Sequence, residues 1–104
     1  MEDLLGLTIH DLHTLLKERK ISSVELTRHY LDYIAKVDPE LRAFVTVTEE
    51  QALAQAEEAD RLLSSGEYTG TLTGIPMALK DLLCTKGIKT TCSSKMLEDF
   101  VPPY

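Results

Sequence analysis

Residues 74–81 read Gly-Ile-Pro-Met-Ala-Leu-Lys-Asp, an apolar run that opens with Gly-Ile-Pro and ends on a single lysine, Lys80. An apolar run of this length is typical of a buried strand, so we expect the ammonium group of Lys80 to be carried toward the interior or an internal cleft. Burial disfavours the charged form of a lysine, and a lysine that loses its proton readily can act as a general base. The alternative is a lysine that ends the strand and extends its ammonium group into water.

Working outward from this run, the apolar periodicity predicts three helices in the first two thirds of the chain, at residues 8–18, 22–37 and 48–64. Two short β-rich segments predict strands at residues 43–47 and 75–80. The sequence thus indicates an α/β class, with about three helices followed by a strand-rich tail.

Local signals set the ends of these helices. Thr8 with Asp11, Ser22 with Glu25, and Thr48 with Gln51 have the three-residue spacing of helix N-caps. The second helix is expected to stop before residues 38 and 39, Asp-Pro, because the residue before a proline disfavours the helical conformation. The apolar stripe of the third helix contains several small residues, which favour close packing. Its polar positions, Glu57, Glu58, Asp60 and Arg61, are expected to face water.

Composition fits a globular chain with room for one modest core, since 43% of its 104 residues are hydrophobic. The net charge of -6 argues against contact with a phosphate backbone, which usually requires clustered Lys and Arg. No apolar run has the length of a transmembrane helix, and the start Met-Glu-Asp lacks the basic region of a signal peptide. We therefore expect no membrane association and a cytoplasmic location.

Other candidate sites have simpler explanations. His10 and His13 could supply two metal ligands, but a solvated helix face needs no further ligands, and His29 is interpreted as a surface contact. Cys84 and Cys92 lack the spacing of metal or redox sites and are interpreted as reduced, half-buried thiols, with a disulfide as the minor alternative.

The polar residues around Lys80 also admit two interpretations. Ser93 and Ser94 precede Lys95, yet adjacent residues diverge in a strand or a helix, so we interpret this segment as a loop that shapes the wall of a site. Asp81 is expected to anchor neighbouring backbone rather than to act as a catalytic acid.

Taken with residues 90–97, Thr-Thr-Cys-Ser-Ser-Lys-Met-Leu, the octapeptide at 74–81 resembles the amidase signature family, and residues 37–44 fit the N-terminal region of that family. The resemblance covers most of the chain. It implies that residues 1–104 are the N-terminal segment of a single larger domain, in which about three helices are followed by strands of a mixed central sheet. It also implies that Lys80 is the general base of a Ser–cis-Ser–Lys triad whose two serines lie beyond Tyr104, so that the 104 residues alone are expected to be inactive.

Within this family the residues at 90–97 resemble those members that supply ammonia to a tRNA-dependent amidotransferase more than they resemble plain amidases. That likeness implies glutamine as the amide donor, B and C subunits as partners, and Glu-tRNA(Gln) as a substrate reached through the complex. It implies no cofactor or metal in this chain, since ATP and magnesium serve the complex. A plain amidase of the family remains an alternative, as does an acidic helical module that binds a partner and performs no chemistry. The apolar stripes and the apolar end of the chain also suggest a segment that self-associates by itself.

Overall fold

Three α-helices follow one another along the first two thirds of the chain. In the computed structural model, which describes residues 4–67 and 70–104, they are α1 (Ile9–Lys17), α2 (Ser23–Leu41) and α3 (Glu49–Ser65). Short 3-10 helices lie at Leu4–Gly6 and Lys95–Leu97. No helix in the described part is both long enough and apolar enough to cross a bilayer.

The first two helices begin as their sequences predict. The Thr8 hydroxyl accepts a hydrogen bond from the Asp11 amide at 3.1 Å, and the Asp11 carboxylate accepts one from the Thr8 amide. Ser22 and Glu25 form the same reciprocal pair at the start of α2. Both capping boxes are therefore confirmed, and each satisfies amide groups that the first helical turn leaves without partners.

The start of α3 does not use the predicted cap. The Thr48 side chain makes no capping hydrogen bond, although its carbonyl accepts the first helical bond, from Ala52 at 2.8 Å. Glu49 instead faces α2, where its carboxylate accepts a hydrogen bond from the Arg28 guanidinium at 2.6 Å. The prediction of a Thr48–Gln51 cap is wrong because φ and ψ of Thr48, −99° and 61°, do not follow the extended geometry of the other two caps.

The predicted end of α2 at residue 37 is also wrong, since the helix continues to Leu41 with Pro39 inside it. The last turn is held by Asp38. Its carbonyl accepts from the Arg42 amide, and its carboxylate accepts from the Ala43 amide at 2.7 Å. Arg42 then leaves the helix in the left-handed conformation, with φ of 53°. The proline is tolerated because it lies in the final turn of the helix, which the carbonyl and the carboxylate of Asp38 hold through hydrogen bonds to the residues that follow.

Neither predicted strand, 43–47 or 75–80, is present in the described residues, which contain only an isolated bridge between Thr85 and Ile88. The expected α/β class with a mixed sheet is therefore wrong for this part of the chain, which is helical followed by turns. Residues with high β-propensity form a strand only when a second strand takes up their amide and carbonyl groups. No described segment pairs with either stretch.

A small leucine core joins α1 and α2. Leu4, Leu12, Leu16 and Leu26 are buried, and Leu26 is completely so. Partly buried residues pack against them from all three helices, from the turns before α1 and before α2, and from the segment after α3: Leu7, Leu15, Ile21, Tyr30, Leu63 and Ile75. Helix α3 packs along α2, with Ala56 as its buried residue. Its small side chain allows the two helices to approach closely.

Asp60 also ties α3 to the start of α2. Its carboxylate accepts hydrogen bonds from the amides of Ser23 at 2.6 Å and Val24 at 3.1 Å. The expectation that Asp60 faces water is therefore wrong, since the side chain is half-buried between the helices. A carboxylate at a helix N-terminus satisfies free amides and complements the helix dipole.

Candidate functional site

The segment that carries Lys80 leaves the core at its first residues. Gly74 lies against Leu16, Leu63 and Ser23, with a positive φ of 87°, and its carbonyl accepts a hydrogen bond from the Ser23 hydroxyl at 2.9 Å. Ile75 still packs on the core. Beyond it the chain turns outward, so Gly74 and Ile75 fix where the apolar run begins.

The lysine itself is exposed. The run is half-buried at its first residues and exposed from Met77 onward. Met77 is 73% exposed and Leu79 53%, and Lys80 is exposed as well. The expectation that the Lys80 ammonium group is carried into the interior is therefore wrong for the described residues, because no other segment packs over 77–80. The exposed Lys80 side chain agrees instead with the alternative interpretation, a lysine whose ammonium group extends into water.

Lys80 nevertheless sits at the start of a defined turn. Its carbonyl accepts a hydrogen bond from the Leu83 amide at 3.1 Å, which closes residues 80–83. The next residue, Asp81, holds the segment at 91–93. Its carboxylate accepts from the Thr91 amide at 2.8 Å, from the Thr91 hydroxyl and from the Ser93 amide at 3.4 Å. The prediction that Asp81 anchors neighbouring backbone is thus confirmed.

The Asp81 carboxylate is held in its charged form. Its pKa lies below the ordinary range, chiefly because the Thr91 hydroxyl donates to it, and the Thr91 and Ser93 amides add to the effect. Its backbone carbonyl is also used, since it accepts from the Cys92 amide at 2.9 Å. Three consecutive residues therefore make hydrogen bonds to one aspartate.

A polar groove runs beside this turn. It has a volume of about 270 Å³ and is lined by Val45, Thr46, Lys89, Thr91, Ser93, Ser94, Lys95 and Glu98. The interpretation of residues 93–95 as a loop that shapes a wall agrees with this placement. Ser94 accepts a hydrogen bond from the Met96 amide and begins the 3-10 helix Lys95–Leu97, so its contacts are those of a cap.

A second, more apolar groove of about 520 Å³ lies at the end of α2, between the helix and the extended chain that follows it. Its lining residues are Ile34, Ala35, Asp38, Pro39, Arg42, Phe44 and Val47. None of these residues carries a predicted chemical role. Lys80 lines neither this groove nor the polar one, so neither of the two grooves includes the predicted general base.

The histidines and cysteines do not form a further site in the part of the chain that the structure describes. No group of three His, Cys, Asp or Glu side chains there is arranged to hold a metal ion. His29 contacts Tyr30 edge to face, with ring centroids 6.1 Å apart. Both cysteines are free and exposed rather than half-buried. Cys84 lies 4.0 Å from the Tyr104 hydroxyl, and their interaction raises the pKa of the tyrosine.

Comparisons with known proteins cover most of the chain. A family model described as Amidase matches residues 25–104. A curated protein of Dehalococcoides mccartyi (strain ATCC BAA-2266 / KCTC 15142 / 195), named as the A subunit of glutamyl-tRNA(Gln) amidotransferase, is 64% identical over 104 residues, which is all of this chain and 21% of that protein.

Relatives from other bacteria give the same picture. A protein with the same name in Geobacter sp. (strain M21) is 55% identical over 102 residues, which is 98% of this chain and 21% of the relative. Another in Acinetobacter baumannii is 56% identical over 104 residues, which is 100% of this chain and 21% of the relative. The chain therefore spans about a fifth of the length of the curated relatives that it matches.

Proposed function

Because this chain belongs to the amidase family, with residues 25–104 matching the family model, we propose that it is the N-terminal part of a glutamine amidase, the A subunit of glutamyl-tRNA(Gln) amidotransferase. The observation that carries this proposal is the 64% identity to a protein of that name over all 104 residues. The amide donor is glutamine, and the ammonia passes to the partner subunits that hold Glu-tRNA(Gln). The complex works in the cytoplasm and uses ATP and magnesium outside this chain.

Lys80 is the general base of the proposed reaction. In its neutral form the amine accepts the proton that the nucleophilic serine loses, relayed through the bridging serine, as serine attacks the amide carbon of glutamine. The proton then passes to the leaving nitrogen, which departs as ammonia, and a glutamyl ester of serine remains. Water attacks this ester by the same proton route and releases glutamate.

Exposure of Lys80 in these 104 residues is compatible with this role. A lysine acts as a base when its surroundings disfavour the ammonium form, and such surroundings require side chains on every side of the amine. The described residues hold only the main chain at Lys80, through the turn at 80–83 and its anchor Asp81, and leave the side chain exposed. The two serines of the proposed triad belong to the remaining length that the relatives possess.

Lys80→Ala in the full-length protein, within its complex, tests the proposal. We expect glutamine hydrolysis to fall by several orders of magnitude, as it does when one member of a coupled triad is removed. Transamidation with added ammonium should remain close to the wild-type rate, because that reaction bypasses the amidase step. The matched control is Lys86→Ala, an exposed lysine of the same region that should leave both activities unchanged.

Three results would contradict the proposal. Equal loss of both activities in Lys80→Ala would show a structural role for the lysine, and unchanged hydrolysis would remove it from the chemistry. Hydrolysis of simple amides with no transamidation by the wild-type complex would favour a plain amidase of the same family.

A further inference from the structure

We propose that Asp81 is a positioning residue, which fixes the main chain that carries Lys80 by holding it against the turn at 91–93. The inference rests on the proposed function, since it concerns the placement of the proposed general base. It goes beyond that function because Asp81 itself takes no part in proton transfer. Both of its carboxylate oxygens already accept hydrogen bonds from the protein.

The contacts of Asp81 come from ten to twelve residues further along the chain. Its Oδ1 accepts from the Thr91 amide at 2.8 Å, its Oδ2 accepts from the Thr91 hydroxyl, and its own carbonyl accepts from the Cys92 amide at 2.9 Å. Thr91 is only 5% exposed, so these bonds are shielded from water on the side of the threonine. Charged acceptors make the stronger class of hydrogen bonds.

The turn that Asp81 holds has an unfavourable backbone by itself. Cys92 and Ser93 both have positive φ, at 50° and 56°, in the left-handed region that residues other than glycine disfavour. Two such residues in succession persist only where surrounding contacts determine them. The Asp81 carbonyl accepts from the Cys92 amide, and its carboxylate accepts from the Ser93 amide at 3.4 Å, while the Thr91 hydroxyl also accepts from the Ser93 amide, at 3.2 Å. Asp81 and the Thr91 side chain that it binds therefore stabilise this conformation together.

The consequence for Lys80 follows from its place in the chain. Asp81 is its direct neighbour, and the Lys80 carbonyl closes the 80–83 turn through the Leu83 amide. The Cα–Cβ direction of Lys80 is therefore fixed on its C-terminal side, although the side chain itself is exposed. A long, flexible amine can reach a reacting group reproducibly only if its starting point does not move.

Asp81→Asn in the full-length protein, within its complex, tests this role. The amide keeps one acceptor for the Thr91 amide, but its nitrogen cannot accept from the Thr91 hydroxyl or the Ser93 amide. We expect kcat for glutamine hydrolysis to fall about tenfold to 100-fold, as for a misplaced catalytic group, while KM for glutamine and ammonium-dependent transamidation stay close to wild type. Hydrogen exchange should become faster in peptides that cover residues 80–83 and 91–94.

Asp60→Asn is the matched control. Asp60, in α3, is another carboxylate that binds two backbone amides, those of Ser23 and Val24 at the start of α2, and within the described residues it makes no hydrogen bond to residues 80–83 or 91–93. Its substitution lowers stability without changing the 80–83 turn, so hydrolysis at a temperature well below unfolding should stay near wild type.

A second pair of variants changes the partner of Asp81. Thr91→Val removes the hydroxyl that donates to the Asp81 carboxylate, and Thr91→Ser keeps a hydroxyl at that position. We expect kcat to fall in Thr91→Val and to stay close to wild type in Thr91→Ser.

Unchanged exchange at 80–83 and 91–94 in Asp81→Asn overturns the inference, whatever the activities are. Faster exchange with wild-type kcat also overturns it, and so does an equal loss of kcat in Asp60→Asn.

The Lys80→Ala variant separates a failure of this inference from a failure of the proposed function. If that variant is inactive and Asp81→Asn is fully active, only the positioning role fails. If Lys80→Ala hydrolyses glutamine normally, the proposed function fails, and the exchange data alone decide whether Asp81 holds the turn.

Discussion

Two aspartates each hold the backbone of a distant segment in this chain. Asp60 reaches from α3 to the amides of Ser23 and Val24, and Asp81 reaches from the Lys80 turn to Thr91 and Ser93. In each case one carboxylate accepts hydrogen bonds from two backbone amides of the other segment. Few side chains among the described residues are buried, and these polar contacts add to the leucine core in holding the segments together.

Asp60→Asn should lower the free energy of unfolding by about 1–2 kcal/mol, the usual cost of losing a side-chain cap. The bonds to Ser23 and Val24 are lost or weakened because an amide presents only one acceptor oxygen. Urea denaturation followed by circular dichroism would measure the change. Asp32→Asn, at an exposed position of α2, is the control and should change stability by less than about 0.5 kcal/mol. Equal values for the two variants would contradict the capping role.

The stability that Asp81 contributes should depend on pH. Its pKa is lowered in the folded chain from the ordinary value of 3.8, so its contribution is present above that value and is lost as the pH falls through the lower folded pKa. The difference in thermal midpoint between wild type and Asp81→Asn should therefore be largest near neutral pH and should shrink below about pH 4. A difference that stays constant down to about pH 2 would mean that the charge of Asp81 does not stabilise the turn.

At the scale of elements, the junction at Gly74 joins all three helices to the segment that carries Lys80. Leu16 comes from α1, Ser23 from α2 and Leu63 from α3, and each lies within 3.4 Å of where a Cβ on Gly74 would be. Only glycine adopts its φ of 87° at little cost and also leaves room for these neighbours. The path of the chain toward Lys80 is thus set by packing between helices.

Gly74→Ala should destabilise the fold by more than Gly87→Ala. Both glycines have positive φ, so each alanine costs about 1–2 kcal/mol in backbone conformation. At Gly74 the new methyl also meets Leu16 at 3.2 Å, whereas at Gly87 nothing lies within 4 Å. Chemical denaturation of the two variants side by side would show a larger loss at Gly74. A loss no greater than that of Gly87→Ala would mean that the leucines move aside freely.

At the scale of the whole molecule, the last third of the chain exposes many large apolar side chains. Leu72, Met77, Leu79 and Met96 are all more than half exposed, and Met96 is 95% exposed. The buried core lies instead between α1 and α2. An apolar surface of this kind is typical of a site where another protein surface packs.

The purified 104-residue chain should therefore self-associate as its concentration rises, through the segment after α3. Met77→Lys together with Leu79→Lys should weaken association by placing charge on that surface. Ile9→Lys, which changes an apolar side chain of α1 that is 54% exposed, is the control and should have little effect. Sedimentation velocity over a concentration series would measure this. A wild-type chain that stays monomeric throughout, with no binding of a hydrophobic dye, would contradict the prediction.

The sequence by itself determined the three helices and the starts of α1 and α2, because these depend on contacts between residues that are close along the chain. It also marked Asp81 as an anchor of backbone, but the fold decided which backbone Asp81 holds, since its partners lie ten to twelve residues further along the chain. Lys80 was singled out by its position at the end of an apolar run and by family resemblance, and its catalytic role stays a prediction. Only the tertiary structure decided the rest. The segments at 43–47 and 75–80 have the composition of strands but no partner to pair with among the described residues, and α2 passes Pro39 because Asp38 closes its last turn. Asp60 is drawn inward by amides 36 and 37 residues away, a distance along the chain over which local patterns carry no information.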